Sequence, residues 1–176
     1  MAELAEIIED AIKLELDGEE YYEMAAEKAR NPLARNTFSA LAKDERAHAA
    51  LVREYWDAVS EGKPAPTAQS IAEQDYSLVA TAKEIFAKAK QELDEGANPP
   101  AEDLSELYDH AMEMERKSIA LYQQGGEQAD EPEARKLFGY LVEQERGHLK
   151  LLANGQQYLD DPESWYLEEE QWSVEG

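Results

Sequence analysis

The chain has 176 residues, of which 43% are hydrophobic, and it carries a formal net charge of −23. This length suits one hydrophobic core, and the acidic charge would repel a nucleic-acid backbone while favouring cations. Because the chain contains no cysteine, it has no disulfide, zinc–thiolate or iron–sulfur site. No segment has the apolar length to cross a bilayer, and the N-terminus lacks a basic signal region, so we expect a cytoplasmic protein without membrane or nucleic-acid partners.

The chain is predicted to be almost entirely helical, because Gly and Pro are few and the segments between them are rich in Ala, Leu, Glu and Lys. A first amphipathic helix is expected over about residues 3–29, and the pair Asn31 and Pro32 ends it. A second is expected over about residues 33–60, before Gly62 and two prolines. Helices this long reach roughly 40 Å, which favours a bundle.

A crossover at about residues 62–100 is expected to join the two halves of the chain and to contain a short helix near residues 77–93. A third long helix should begin near Ala101 and a fourth near Pro132, with its end before Asp160. Residues 1–160 are therefore predicted to form one four-helix bundle. Residues 161–176 form a tail whose Trp165 and Trp172 either pack on their own subunit or contact a partner chain.

An internal repeat relates the two halves of the chain without gaps. A shift of 100 positions matches identical residues to Glu15, Tyr22, Pro32, Arg35, Phe38, Leu41, Glu45, Arg46, His48 and Leu51. The chain is therefore two similar helical hairpins. Gly125 and Gly126 correspond to two alanines inside the first helix, so the third long helix should continue through them despite a cost of roughly 1 kcal/mol per glycine.

Two Glu-x-x-His motifs, each with a glutamate 30 residues earlier, are predicted to meet in the middle of the bundle. One such motif would mean little in so acidic a chain, but both occupy equivalent places in the repeat. Four carboxylates in a bundle interior would repel one another and take up protons, whereas two divalent cations would balance their charge. We therefore predict a two-metal centre with the ligands Glu15, Glu45, His48, Glu115, Glu145 and His148. His110, which has no histidine counterpart in the repeat, should lie at the surface.

This pattern resembles the ferritin-like di-iron carboxylate superfamily, in which glutamates and Glu-x-x-His motifs of a four-helix bundle bind two metal ions. Segments 15–22 and 44–48 are most similar to rubrerythrin-related proteins. The resemblance implies two iron ions, although manganese or a mixed pair would suit the same ligands. It also implies terminal carboxylates, bridging carboxylates and one imidazole per metal, namely Glu15 and Glu115, Glu45 and Glu145, and His48 and His148.

Tyr22 and Tyr122 lie seven residues after the first ligand of each hairpin, on the same helix face. Both could simply fill the core, but the resemblance implies that each phenol bonds a ligand carboxylate of the facing helix and could supply an electron. We expect Asp44 to orient His48. Ser118 occupies a position at which rubrerythrins carry an additional glutamate ligand, so the redox-linked ligand switch associated with that glutamate is in doubt.

The resemblance implies an oxidoreductase in which two ferrous ions reduce hydrogen peroxide or dioxygen. Rubrerythrins also carry a four-cysteine iron domain, and since this chain has no cysteine, a separate protein is expected to donate electrons. Two alternatives remain: a ferroxidase that handles iron as ferritins do, and a non-enzymatic bundle stabilised by metal with a tail that binds a partner. We expect the chain to form a homodimer.

Overall fold

The computed structural model describes residues 2–66, 78–95 and 103–160, and within these ranges the chain is helical without any strand. The predicted all-α fold is confirmed. These ranges contain five helices, which are α1 (Ala2–Lys28), α2 (Pro32–Ser60), α3 (Leu78–Asp94), α4 (Ser105–Gln128) and α5 (Pro132–Asp160). None of them combines the length and apolar character needed to span a bilayer. Trp165 and Trp172 of the predicted tail lie outside the described residues.

The four long helices close into a bundle. α1 packs along α2, and α4 packs along α5, so that each half of the chain is a hairpin. α1 also contacts α4, and α2 contacts α5, which gives the order α1, α2, α5, α4 around the bundle. The shorter α3 contacts α2 and α5, and the crossover therefore covers one side of the bundle with a helix.

Local signals explain where the helices of the first hairpin begin and end. The Asn31 side chain accepts hydrogen bonds from the backbone N–H groups of Leu33 at 2.9 Å and Ala34 at 3.4 Å. These contacts satisfy two donors that a helix start otherwise leaves unpaired, and Pro32 at the first helical position loses no bond. After α2, Gly62 adopts a φ of 67°, a left-handed conformation that glycine tolerates.

The second hairpin differs from prediction at its start. α4 begins at Ser105 and not near Ala101. The Asp103 carboxylate accepts the backbone N–H of Ser105 at 3.1 Å, and this contact pairs a donor at the helix start. α4 then continues through Gly125 and Gly126 to Gln128, as predicted.

Two hydrophobic clusters fill the bundle and are separated by a polar level. Along each long helix the predicted ligands lie between members of the two clusters. One cluster includes Tyr22, Leu33, Phe38, Leu41, Tyr108 and Leu152. The other includes Ile8, Val52, Tyr55, Tyr122, Leu137 and Phe138. The polar level is thereby shielded by apolar packing toward both ends of the bundle.

Gly125 is required by close packing, and this leads to a stability prediction. A Cβ atom at Gly125 would lie 2.8 Å from Cζ of the fully buried Phe138 ring. We expect Gly125→Ala to lower the free energy of unfolding by about 1–3 kcal/mol, because overpacking outweighs the better helix propensity of alanine. Chemical denaturation of the full chain measures this change.

Gly126→Ala is the matched control. Its Cβ would make an ordinary contact, 3.7 Å from Cβ of Phe138, so this variant should gain roughly 1 kcal/mol from helix propensity. If both variants gained stability, the close approach of Gly125 to Phe138 would have no energetic consequence.

Candidate metal centre

The structure brings all six predicted ligands together at the polar level of the bundle. Each is at most 5% exposed. α1 and α4 contribute one glutamate each, whereas α2 and α5 each contribute a Glu-x-x-His pair. The spacing of three residues places glutamate and histidine on one helix face, so both members of each pair point inward. The six residues are Glu15, Glu45, His48, Glu115, Glu145 and His148.

Two of the carboxylates lie between the two imidazoles. Glu145 places Oε1 3.1 Å from Nδ1 of His48 and Oε2 3.0 Å from Nδ1 of His148. Glu45 faces the same two nitrogens, with Oε2 3.8 Å from His48 and Oε1 3.2 Å from His148. The imidazole rings are stacked with their centroids 5.4 Å apart. A carboxylate that presents one oxygen toward each imidazole has the arrangement needed to bridge two cations.

The other two carboxylates lie at opposite sides of this group. Glu15 Oε2 is 3.4 Å from Nδ1 of His48, and Glu115 Oε1 is 3.6 Å from Nδ1 of His148. The geometry therefore divides into two halves, one with His48 and Glu15 and one with His148 and Glu115, which share Glu45 and Glu145. This division is compatible with the terminal and bridging roles that the resemblance implies.

Tyrosines hold the outer carboxylates from across the bundle. The Tyr22 hydroxyl on α1 donates to Glu115 Oε1 on α4, and the Tyr122 hydroxyl on α4 donates to Glu15 Oε1 on α1. Each phenol thus bonds the facing helix, as the resemblance implies. Burial, followed by the adjacent carboxylate charge, raises the pKa of both phenols well above 10.0, so both remain protonated donors.

Burial and repulsion favour protonated carboxyl groups when no cation is bound. Burial and the charge of Glu145 raise the pKa of Glu115 to about 8, and the same two causes raise the pKa of Glu45 well above its ordinary value. Burial alone would also raise the pKa of Glu145, but the adjacent imidazolium groups outweigh burial and lower the pKa of that carboxyl. For His48 and His148, carboxylate charges likewise outweigh burial and raise the pKa.

Unpaired buried atoms indicate that the centre is built for cations. The buried atoms without a hydrogen-bond partner include Glu15 Oε2, both Glu145 carboxylate oxygens, His48 Nδ1 and both His148 nitrogens. Buried polar atoms are rarely left unpaired, and a coordinated ion would satisfy them. Ligand atoms of Glu45, His48, Glu145 and His148 all lie within 4.8 Å of one another. Oxygen and imidazole donors in this number suit divalent iron or manganese.

Asp44 does not lie where the sequence predicts. Its Oδ2 is 3.4 Å from Nε2 of His148 on α5, so it is placed to orient that imidazole rather than His48 on its own helix. The reason is that α2 and α5 are neighbours in the bundle, and the residue before Glu45 faces α5. His110 is exposed, as predicted.

Gly18 shapes the centre without being a ligand. A Cβ atom at Gly18 would lie 3.3 Å from Cγ of Glu45, closer than most side-chain contacts. The absence of a side chain therefore makes room for one of the shared carboxylates. The sequence predicts this role, because a small residue one turn after Glu15, on the same face, leaves room beside the metals.

The family model described as Rubrerythrin matches residues 6–155, which includes all six predicted ligands and both tyrosines. No curated protein and no solved structure matches this chain.

Proposed function

This chain belongs to the rubrerythrin family, and from that premise we propose that it is a di-iron oxidoreductase that reduces hydrogen peroxide or dioxygen with electrons from a separate donor protein. The observation that carries this proposal is the buried carboxylate and imidazole group with its unpaired donor atoms. Four carboxylates balance two divalent cations. Manganese would fit the same donors, so the identity of the metal belongs to the proposal. We also propose that the protein forms a homodimer.

The residues of the site divide into those that bind the metal ions and those that hold the ligands in place. We assign terminal binding to Glu15 and Glu115, bridging to Glu45 and Glu145, and nitrogen coordination to His48 and His148. Iron, when bound, supplies the two electrons that convert peroxide to water. That conversion also consumes two protons, which come from solvent. The Tyr22 and Tyr122 hydroxyls keep their protons and hold the outer carboxylates in place. The apolar clusters on both sides limit access of bulk water.

The proposal is tested by anaerobic loading with ferrous iron, followed by separate mixing with peroxide and with dioxygen. We expect two irons per chain, oxidation of both by one equivalent of peroxide, and return to the ferrous state with a reductant. Consumption of many ferrous ions per chain would support iron storage instead. If bound iron were not oxidised by either substrate, only a structural metal role would remain.

A further inference from the structure

A row of aromatic rings joins the candidate metal centre to the surface. The buried Tyr22, which donates to Glu115, has its ring centroid 5.8 Å from that of Tyr21 in an edge-to-face contact. The half-buried Tyr21 ring lies 4.7 Å from the ring of the exposed His110. Three rings therefore lead from a predicted metal ligand to solvent through successive contacts.

Tyr21 is held in this row by the facing helix. Its hydroxyl donates to the backbone carbonyl oxygen of Leu107 on α4 at 2.8 Å. This bond ties α1 to α4 on the side of the bundle where His110 is exposed. The ring position is thus fixed by a specific contact as well as by packing.

The repeat shows that the bundle does not need these rings for its packing. The positions equivalent to Tyr21 and His110 are Leu121 and Asp10, neither of which is aromatic. Leu121 packs against its own hydrophobic cluster in the same helix position. Tyr22 and Tyr122 are conserved between the halves, whereas the two outer rings occur in one half alone. A role specific to that half would explain the difference.

We propose that Tyr21 and His110 form the path by which electrons enter the metal centre, and that the surface around His110 receives a one-electron donor protein. The inference rests on the proposed function for the direction of electron flow. With iron bound, one electron from the donor would pass through the rings of His110, Tyr21 and Tyr22 to the Glu115 side of the centre, where it would convert ferric to ferrous iron. No bond forms or breaks at Tyr21, and its proton stays in place. Because tunnelling weakens steeply across gaps, contacting rings favour this route.

The native His110 provides a labelling site for a direct test. Of its three histidines only His110 is exposed, so a ruthenium polypyridyl complex can be attached there selectively in the iron-loaded protein. Flash reduction of the label then injects electrons, and the loss of ferric absorbance gives the rate. The matched control carries the exchange Asp10→His with His110→Asp and is labelled at position 10.

The control keeps the distance along the helix constant. Position 10 precedes Glu15 by the same five residues that separate His110 from Glu115, about 7.5 Å of helix rise. Both positions are exposed, so the exchange should change stability by no more than about 0.5 kcal/mol per site. We expect electron transfer from position 110 to be faster by roughly an order of magnitude. Equal rates from the two labels would overturn the proposal.

A second measurement does not depend on iron chemistry. In the zinc-loaded protein, the flash-oxidised label on His110 should take one electron from Tyr21, whose proton passes to the buffer, and a tyrosyl radical should appear. Tyr21→Phe keeps the ring and its packing but removes the phenol. The label must then oxidise the more distant Tyr22, so a tyrosyl radical should form about an order of magnitude more slowly. An unchanged rate in this variant would overturn the path. An iron centre that accepts electrons from neither label would contradict the proposed function instead.

Discussion

Replacing Glu145 with alanine is expected to abolish binding of both metal ions, whereas Glu115→Ala should remove only one. Glu145 presents one oxygen to each imidazole at 3.1 and 3.0 Å, so both halves of the centre depend on it. Glu115 approaches His148 at 3.6 Å and belongs to one half. Metal content per chain after equilibrium dialysis distinguishes the two outcomes.

Glu143→Ala is the control for this pair. Glu143 lies on the same helix as Glu145, but its exposed side chain pairs with Arg146 at the surface. This variant should keep two metals per chain. Circular dichroism should show a folded bundle in all three variants, because the two hydrophobic clusters that pack the helices together are unchanged. Full two-metal occupancy in Glu145→Ala would show that the assigned ligand set is wrong.

Metal loading is expected to raise the thermal midpoint of unfolding strongly. A ligand that binds only the folded state at about 1,000 times its Kd contributes about 4 kcal/mol for each site. A chain of this size gains roughly 2–4 °C per kcal/mol, so two sites should add on the order of 20 °C. Scanning calorimetry with and without metal measures the difference.

The stability that the protein gains from metal binding should grow as pH rises above 4.5. Folding raises the pKa of Glu115 from 4.5 to about 8, and it also raises the pKa of Glu45, His48 and His148. In this range the metal-free folded state holds protons that the unfolded chain releases, so its stability falls with rising pH. Because the pKa of Glu145 is lowered, this group changes the stability only below about pH 4.5. Metal binding must displace the same protons and therefore strengthens with pH.

The outcome that contradicts this prediction is a metal-induced shift in the midpoint that is constant or decreases between pH 5 and pH 8, about the range set by these groups. Glu115→Gln serves as a control for the pH effect. Its side chain cannot titrate, so the pH dependence of the metal-free protein should become shallower.

The meeting of the six predicted ligands could be predicted from sequence, because the position of each depends on one helix period and on the repeat. Within each motif the glutamate and histidine are three residues apart, and another glutamate lies at a constant distance before them. In an antiparallel hairpin this spacing places all three side chains at the same level. The neighbours of Asp44 could not be predicted in this way. They depend on α2 lying beside α5, and no pattern within a single helix contains that information.

The ring contact between Tyr21 and His110 shows the same limit. These residues lie on α1 and α4, and their approach depends on how far one hairpin is shifted along the other. A shift of one helical turn would preserve every hydrophobic period in the sequence and still separate the rings. The start of α4 at Ser105 could not be predicted either. Several acidic residues lie near it in the sequence, and the sequence alone does not show that Asp103 is the one that caps the helix.

The crossed tyrosine bonds have a consequence for the origin of the chain. Tyr22 of the first hairpin donates to Glu115 of the second, and Tyr122 of the second donates to Glu15 of the first, so each hairpin supplies the phenol that bonds the other hairpin's outer carboxylate. Two copies of a single ancestral hairpin, related by a twofold axis, would make both bonds with one tyrosine and one glutamate. Duplication and fusion of such a hairpin would allow the two halves to diverge. Tyr21 and His110 occur in one half alone, and a dimer of identical hairpins could not have had this difference between its halves.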